Sequence, residues 1–198
     1  MKKVIIGMAL IAITAASCNN GSDNSSAKNL NKDSTNQGNN SSVATSNNTN
    51  TNVAGSMKEM VSQYLQMKNA LANDNGKDAA TAGNAFVESM GKMEKTSLTP
   101  DKKKIWNDLS DDAKEMAEHI GKNAGDIEHQ REHFDMLSKD MYDMVKAFGS
   151  GQTLYNEYCP MYNNKKGATW LSETKEIKNP YLGKKMPTCG EVKEEIKQ

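Results

Sequence analysis

The chain is short of most features that would declare an activity. Charge of one sign is missing: 25 Lys and Arg balance 25 Asp and Glu over 198 residues, so the formal net charge is zero. With no basic block and no interleaving of basic and aromatic residues, there is no electrostatic footprint for nucleic acid. Long apolar runs are missing too, and past the N-terminus nothing approaches the roughly 20 residues of a membrane-spanning helix. The three cysteines lack the CxxC…CxxC spacing that marks a structural zinc site. HExxH is absent, because Gln130 follows His129 where that motif requires Glu. Ser138 has no nucleophile-elbow context. No catalytic set is therefore expected, and the chain is read as a non-enzyme.

What is present at the N-terminus is a leader. Lys2 and Lys3 precede an apolar run over residues 4–16, too short to span a bilayer and fitted to the h-region of a signal peptide at 1–17. It ends in "AASC", which resembles a bacterial lipobox and implies that Cys18 is the lipidation site; the alternative is an ordinary signal cut near Ala16. Residues 19–52 are dominated by Asn, Ser and Thr and offer too little apolar surface to offset the entropy of ordering. Residues 18–55 are read as a disordered tether, and 56–195 as the folded domain. The localisation expected is the cell envelope, as a membrane-anchored lipoprotein facing the periplasm or the cell surface, held through its lipid.

Four helical patterns follow. Ser56 with Glu59 reads as a capping box, ahead of a stripe through Met57, Val61, Tyr64, Leu65, the stem of Lys68, and Leu71. A second helix over about 77–95 has Ala79, Ala82, Phe86, Met90 and Met93 on its apolar face, with small alanines that let a neighbour approach. Thr99 and Pro100 start a third, carrying Ile105, Leu109, Ala113, Met116 and Ile120 and ending near Gly121 and Asn123. The fourth spans about 125–147, with Ile127, Arg131, Phe134, Leu137, Met141, Val145 and Phe148 on its face and Gly149 to stop it. Most of the 13 methionines, including Met60, Met67, Met90, Met116 and Met144, read as adaptable core filling. The fold class expected is mainly α: an antiparallel four-helix bundle with a small, irregular C-terminal cap over 151–195 that contains short strands, among them "TLYNEYCP" and "GATWLS".

Two groups carry metal-ligating chemistry. Cys159 and Met161, with Met186 and Cys189, would give a soft four-sulfur set suited to Cu(I) if the turns at Pro160 and Pro187 fold them together. The same two cysteines, in an oxidising compartment, would equally form a disulfide. His129 and His133 lie four apart on one helix face, a spacing that lets two imidazoles share an ion. His119, alone near the end of the third helix, reads as a favourable C-terminal charge.

The run "IEHQREHFDMLSKDMYDMVKAFG", the tail motifs "CPM" and "NPY.G..M..CG", and the opening "YLQMKNALANDN" resemble domain of unknown function 3347, a family of bacterial envelope proteins, over residues 57–192. The resemblance implies lipoproteins and domains fused to heavy-metal efflux adaptor subunits, hence a role with copper or related metals. It carries over Cys159, Met161, Met186 and Cys189 as candidates, with His129 and His133 behind them. Two functions are thus expected. One is binding of a soft ion, Cu(I) or alternatively zinc, for buffering or hand-over to an efflux system. The other is an envelope interaction module whose cap is pinned by a Cys159–Cys189 disulfide.

Overall fold

The computed structural model describes residues 44–197. The signal peptide, Cys18 and most of the expected tether lie outside the described residues. The order is α1 (Ala44–Ala72), α2 (Gly76–Met90), α3 (Pro100–Lys122), α4 (Ile127–Phe148), β1 (Leu154–Cys159), β2 (Ala168–Ser172) and β3 (Glu191–Ile196), with 3-10 turns at Lys95–Ser97 and Gly183–Lys185 and a single kinked turn at Tyr162–Lys165. Four major helices pack antiparallel, each against the next in sequence, and α1 returns to α4. A three-stranded antiparallel sheet, ordered β2-β1-β3, follows them. No helix among the described residues is long and apolar enough to cross a membrane.

The helix ends follow local chemistry. Thr99 caps α3 by accepting from the Lys102 N–H, with Pro100 in the first turn where its missing N–H costs nothing. Asp126 caps α4 by accepting from the His129 N–H, and Gly149 stops it in a positive-φ conformation. The capping-box reading of Ser56 is corrected. Helix α1 begins at Ala44, and Ser56 sits inside it, donating to the Asn52 and Lys92 carbonyls at 3.1 and 3.0 Å. Buried Val53 accounts for the turn just before Ser56, since it continues the stripe of Met57, Met60 and Tyr64 one turn back. Helix α2 ends at Met90, earlier than the apolar face alone indicates.

The core is one cluster. Tyr64 stacks on Phe134 at 5.0 Å between ring centroids, shares a 2.8 Å hydrogen bond with Ser138, and accepts from the Leu171 N–H. One phenol thereby joins α1, α4 and β2. Helices α2 and α3 approach at Gly83, where a Cβ would lie 2.9 Å from the Ala117 carbonyl oxygen. Helix α3 is rotated from its expected face: Trp106, Ser110, Ala113, Ala117 and Ile120 point inward. The large indole claims the interior and leaves Ile105 and Leu109 half-buried. Met60, Met67, Met90 and Met144 are core, while Met116 is only half-buried.

The cap is a sheet on the bundle, with β2 against α4 and α1. Strands β1 and β2 are where the β-branched and aromatic residues fall. β3 was not expected, because "EVKEEI" is charged and mostly exposed. It is an edge strand held by main-chain pairing to β1, and exposed charge is how such an edge avoids further pairing.

Candidate metal centre

Three imidazoles meet where α3 hands over to α4. The turn between these helices is short and tied on itself. Asn123 donates its side-chain amide to the His119 carbonyl at 2.7 Å, and the Asp126 N–H donates to the Asn123 carbonyl at 3.0 Å. Buried Gln130 donates its side-chain amide to the Ile120 and Gly76 carbonyls at 3.0 and 2.8 Å. The bonds to His119 and Ile120 serve carbonyls at the end of α3, where intrahelical partners run out, and the bond to Gly76 ties α4 to the start of α2. They also set the helices in the register that places His119 opposite His129 and His133.

His119 stacks on His133 at 4.3 Å between ring centroids, and His129 meets His133 edge-on at 4.4 Å. The Nε2 atoms of His129 and His133 are 3.0 Å apart. One ligand nitrogen from each of the three rings can be chosen so that all lie within 4.8 Å of one another. Tetrahedral coordination with metal–nitrogen bonds of about 2.0–2.1 Å separates ligands by roughly 3.3 Å. The triad could hold a metal ion, and three imidazoles on a tetrahedral ion would leave a fourth position open. The ring is half-buried, with His119 at 44% and His129 at 36% side-chain exposure. The cluster is open to solvent on this side.

The surroundings favour the ligand form. Burial lowers the pKa of His133 below its ordinary 6.5, and charge on His119 and His129 lowers it further, against Glu132 and Glu115. A neutral imidazole is the species that binds metal. His133 Nδ1 lies 3.2 Å from the Met116 thioether. With the proton on Nδ1 donated to that sulfur, the Nε2 lone pair faces the triad. Glu115 and Glu132 flank the outer rings at 3.8 and 3.9 Å.

The second group falls in the cap. Cys159 ends β1 fully buried, Cys189 precedes β3, and their sulfurs are 2.8 Å apart as free thiols. Burial, then the hydrogen bond and charge of Cys159, push the Cys189 thiol up to about 11, against a Met161 backbone N–H that lowers it. Met161 and Met186 are exposed at 47% and 43%. The structure thus brings the two cysteine sulfurs together, and the Met161 and Met186 side chains are each a little under half exposed.

His129 and His133 are where the helix spacing puts them. His119 is the member of the cluster that sequence reasoning left out. It sits in the last turn of α3, where the helix-end reading put it, and also meets His129 and His133, with the Glu115 carboxylate 3.8 Å away. The signal was mirror symmetry: residues equally distant from the centre of a short antiparallel turn face each other, which pairs 119 with 129 and 116 with 133.

Residues 60–153 match the family described as "Protein of unknown function (DUF3347)" and form a domain of that family. The matched span holds the histidine triad and ends before Cys159, so the tail motifs of the wider resemblance lie outside it. No curated protein and no solved structure matches the chain.

Proposed function

We propose that this DUF3347 family domain is a metal-binding, non-enzymatic module. It holds a late first-row transition ion on His119, His129 and His133. The observation that carries the reading is the convergence of three ligand nitrogens within 4.8 Å across one helical hairpin. Bringing imidazoles this close costs desolvation and mutual repulsion, the two effects that lower the His133 pKa. A bound cation turns that cost into ligand strength.

The donor set favours one class of ion. Imidazoles suit Zn(II), Cu(II) and Ni(II), and among these the affinity order favours Cu(II). A soft Cu(I) site on Cys159, Met161, Met186 and Cys189 would need both thioethers, which stand exposed. Copper or zinc at the histidines is accordingly the reading favoured here. The leader and "AASC" support placement in the cell envelope as a lipoprotein anchored through Cys18. An open fourth position supports hand-over of the ion to a partner such as an efflux system.

The test is titration of the metal-free full chain with Zn(II) and with Cu(II). One equivalent is expected to bind. His119→Ala, His129→Ala and His133→Ala should each weaken binding by about 100-fold or more, since even outer-shell changes cost about 10–100-fold. Met161→Leu with Met186→Leu should change nothing. Unaltered affinity in His119→Ala would remove the triad as the site.

A further inference from the structure

We infer that Cys159 and Cys189 form a structural disulfide that fastens the irregular strap over residues 173–190, a modification independent of the histidine centre. The strap joins β2 to β3 with a single 3-10 turn as its regular structure, and is long for a connection in a compact domain. Side chains hold its middle. Asn179 donates its side-chain amide to the Cys189 carbonyl at 2.6 Å, and its side-chain oxygen accepts from the Tyr181 and Leu182 N–H groups at 2.8 Å each. Tyr181 is buried, with its hydroxyl donating to the Thr169 carbonyl at 2.5 Å. Arg131 of α4 donates Nε to the Pro180 carbonyl at 2.8 Å. The end of the strap nearest β3 is where the two sulfurs meet.

Two thiols that only pack would each be served by any apolar neighbour. These face each other at 2.8 Å, and a small closing movement separates them from a bond of about 2.05 Å. Access sets the order of events. Cys159 is wholly buried and Cys189 half-buried, so an incoming disulfide of the oxidised-glutathione or dithiol-oxidant class reaches Cys189. The Cys189 thiolate, having released its proton, attacks one sulfur of the oxidant. The oxidant's S–S bond breaks, its first sulfur leaves as a thiolate that takes a proton, and a mixed disulfide remains. Cys159 then loses its proton and attacks Cys189 Sγ, expelling the second oxidant thiolate, which is protonated in turn. Two protein thiols are oxidised by two electrons, and one oxidant disulfide is reduced to two thiols.

The enclosure that orders these steps also argues against a reversible switch. A thiol pushed up to about 11 has very little thiolate at neutral pH, so exchange in the folded state is slow. The bond belongs to the last stage of folding, with Cys159 already covered and Cys189 still within reach, and is then shielded.

The experiment refolds the full chain, with Cys18→Ser to remove the third thiol, in a buffer of oxidised and reduced glutathione. Intact mass and alkylation in denaturant follow. The expected result is a chain lighter by two hydrogens, a linked peptide pair containing Cys159 and Cys189, and loss of nearly all alkylatable thiol. The thermal midpoint should exceed that of the reduced chain by roughly 7–15 °C, and the linked form should resist added reductant until unfolded. Two alkylatable thiols after this equilibration, or a product carrying glutathione on Cys189 in place of the internal link, would overturn the inference. Both readouts are taken on a chain with both cysteines present, so no destabilised variant enters. Metal titration of the same sample reports on the histidines separately.

Discussion

Replacing Lys68 with methionine probes an unusual burial in the domain. The Lys68 side chain, on α1, is 1% exposed, with Nζ 2.8 Å from Glu173 Oε2 and 3.4 Å from Ser172 Oγ. Glu157, on β1, is also fully buried, and neither of its oxygens has a well-formed hydrogen bond. Burial pushes the Glu157 pKa from 4.5 up to about 7; Lys68 and the Trp170 indole pull it down, and Glu173 pushes it up. Removing one partner of a buried charge pair costs about 3–5 kcal/mol. Here Glu173 is 35% exposed and can turn to water, and Glu157 can take up a proton. The expected cost of Lys68→Met is therefore lower, about 2–3 kcal/mol. The pH dependence has a definite sign. Because the folded pKa of Glu157 is raised, its contribution is fully present below 4.5 and is lost as pH rises through about 7. Glu157→Gln should then gain about 1–3 kcal/mol relative to the parent at about pH 8, from about 1.36 kcal/mol per pKa unit discounted for water penetration. It should gain little at about pH 4, where both side chains are neutral. In the double variant, the penalty of Lys68→Met should shrink, because no buried carboxylate is left behind. Urea unfolding followed by circular dichroism measures each term. A Lys68→Met variant within about 0.5 kcal/mol of the parent, or a Glu157→Gln variant with the parent's pH slope, would refute the reasoning.

Two further outcomes concern the histidines. The His133 pKa is lowered in the fold, so its contribution to stability is present above the ordinary 6.5 and lost as pH falls through the depressed value. His133→Gln should flatten that acid limb in denaturant midpoints of the metal-free chain, and an unchanged limb would count against a buried neutral imidazole. Met116→Leu removes the sulfur acceptor 3.2 Å from His133 Nδ1 at nearly constant volume. It should lower metal affinity by about 10-fold while costing under about 1.5 kcal/mol of stability; equal affinity would show that the thioether does not orient the ring.

Signals written in adjacent residues were legible in the sequence. Thr99 with Pro100 starts α3, Gly149 stops α4, and the aromatic, β-branched stretches became β1 and β2. Readings that depended on partners elsewhere were not. Ser56 has the local look of a cap, yet Val53 finds the core and carries the helix past it. Strand β3 has no apolar alternation, and the backbone of β1 is what makes it a strand. The i, i+4 pair of His129 and His133 shows in the sequence because one helix creates it. His119 joins them only through the hairpin, whose register is set by Gln130 and Asn123. The two cysteines were identified as one group, and they meet. Whether Met161 and Met186 join them depends on turn geometry that spacing does not encode; both side chains are partly exposed.

The ligand triad and the thiol pair differ in what each closes along the chain. The cysteines lie thirty positions apart, and joining them removes a large share of the freedom of the unfolded cap. The histidines come from the two limbs of one short turn, so an ion there closes a small loop that the helical hairpin has already nearly closed. Its hold on the protein is parochial. Occupancy would quench fraying of the last turn of α3 and the first turns of α4, and would slow amide exchange there, while leaving distant breathing of α1 or the sheet to its own equilibrium. The converse also holds: an event that loosens the cap need not spill the ion, since the hairpin keeps its own register through Gln130, Asn123 and Asp126.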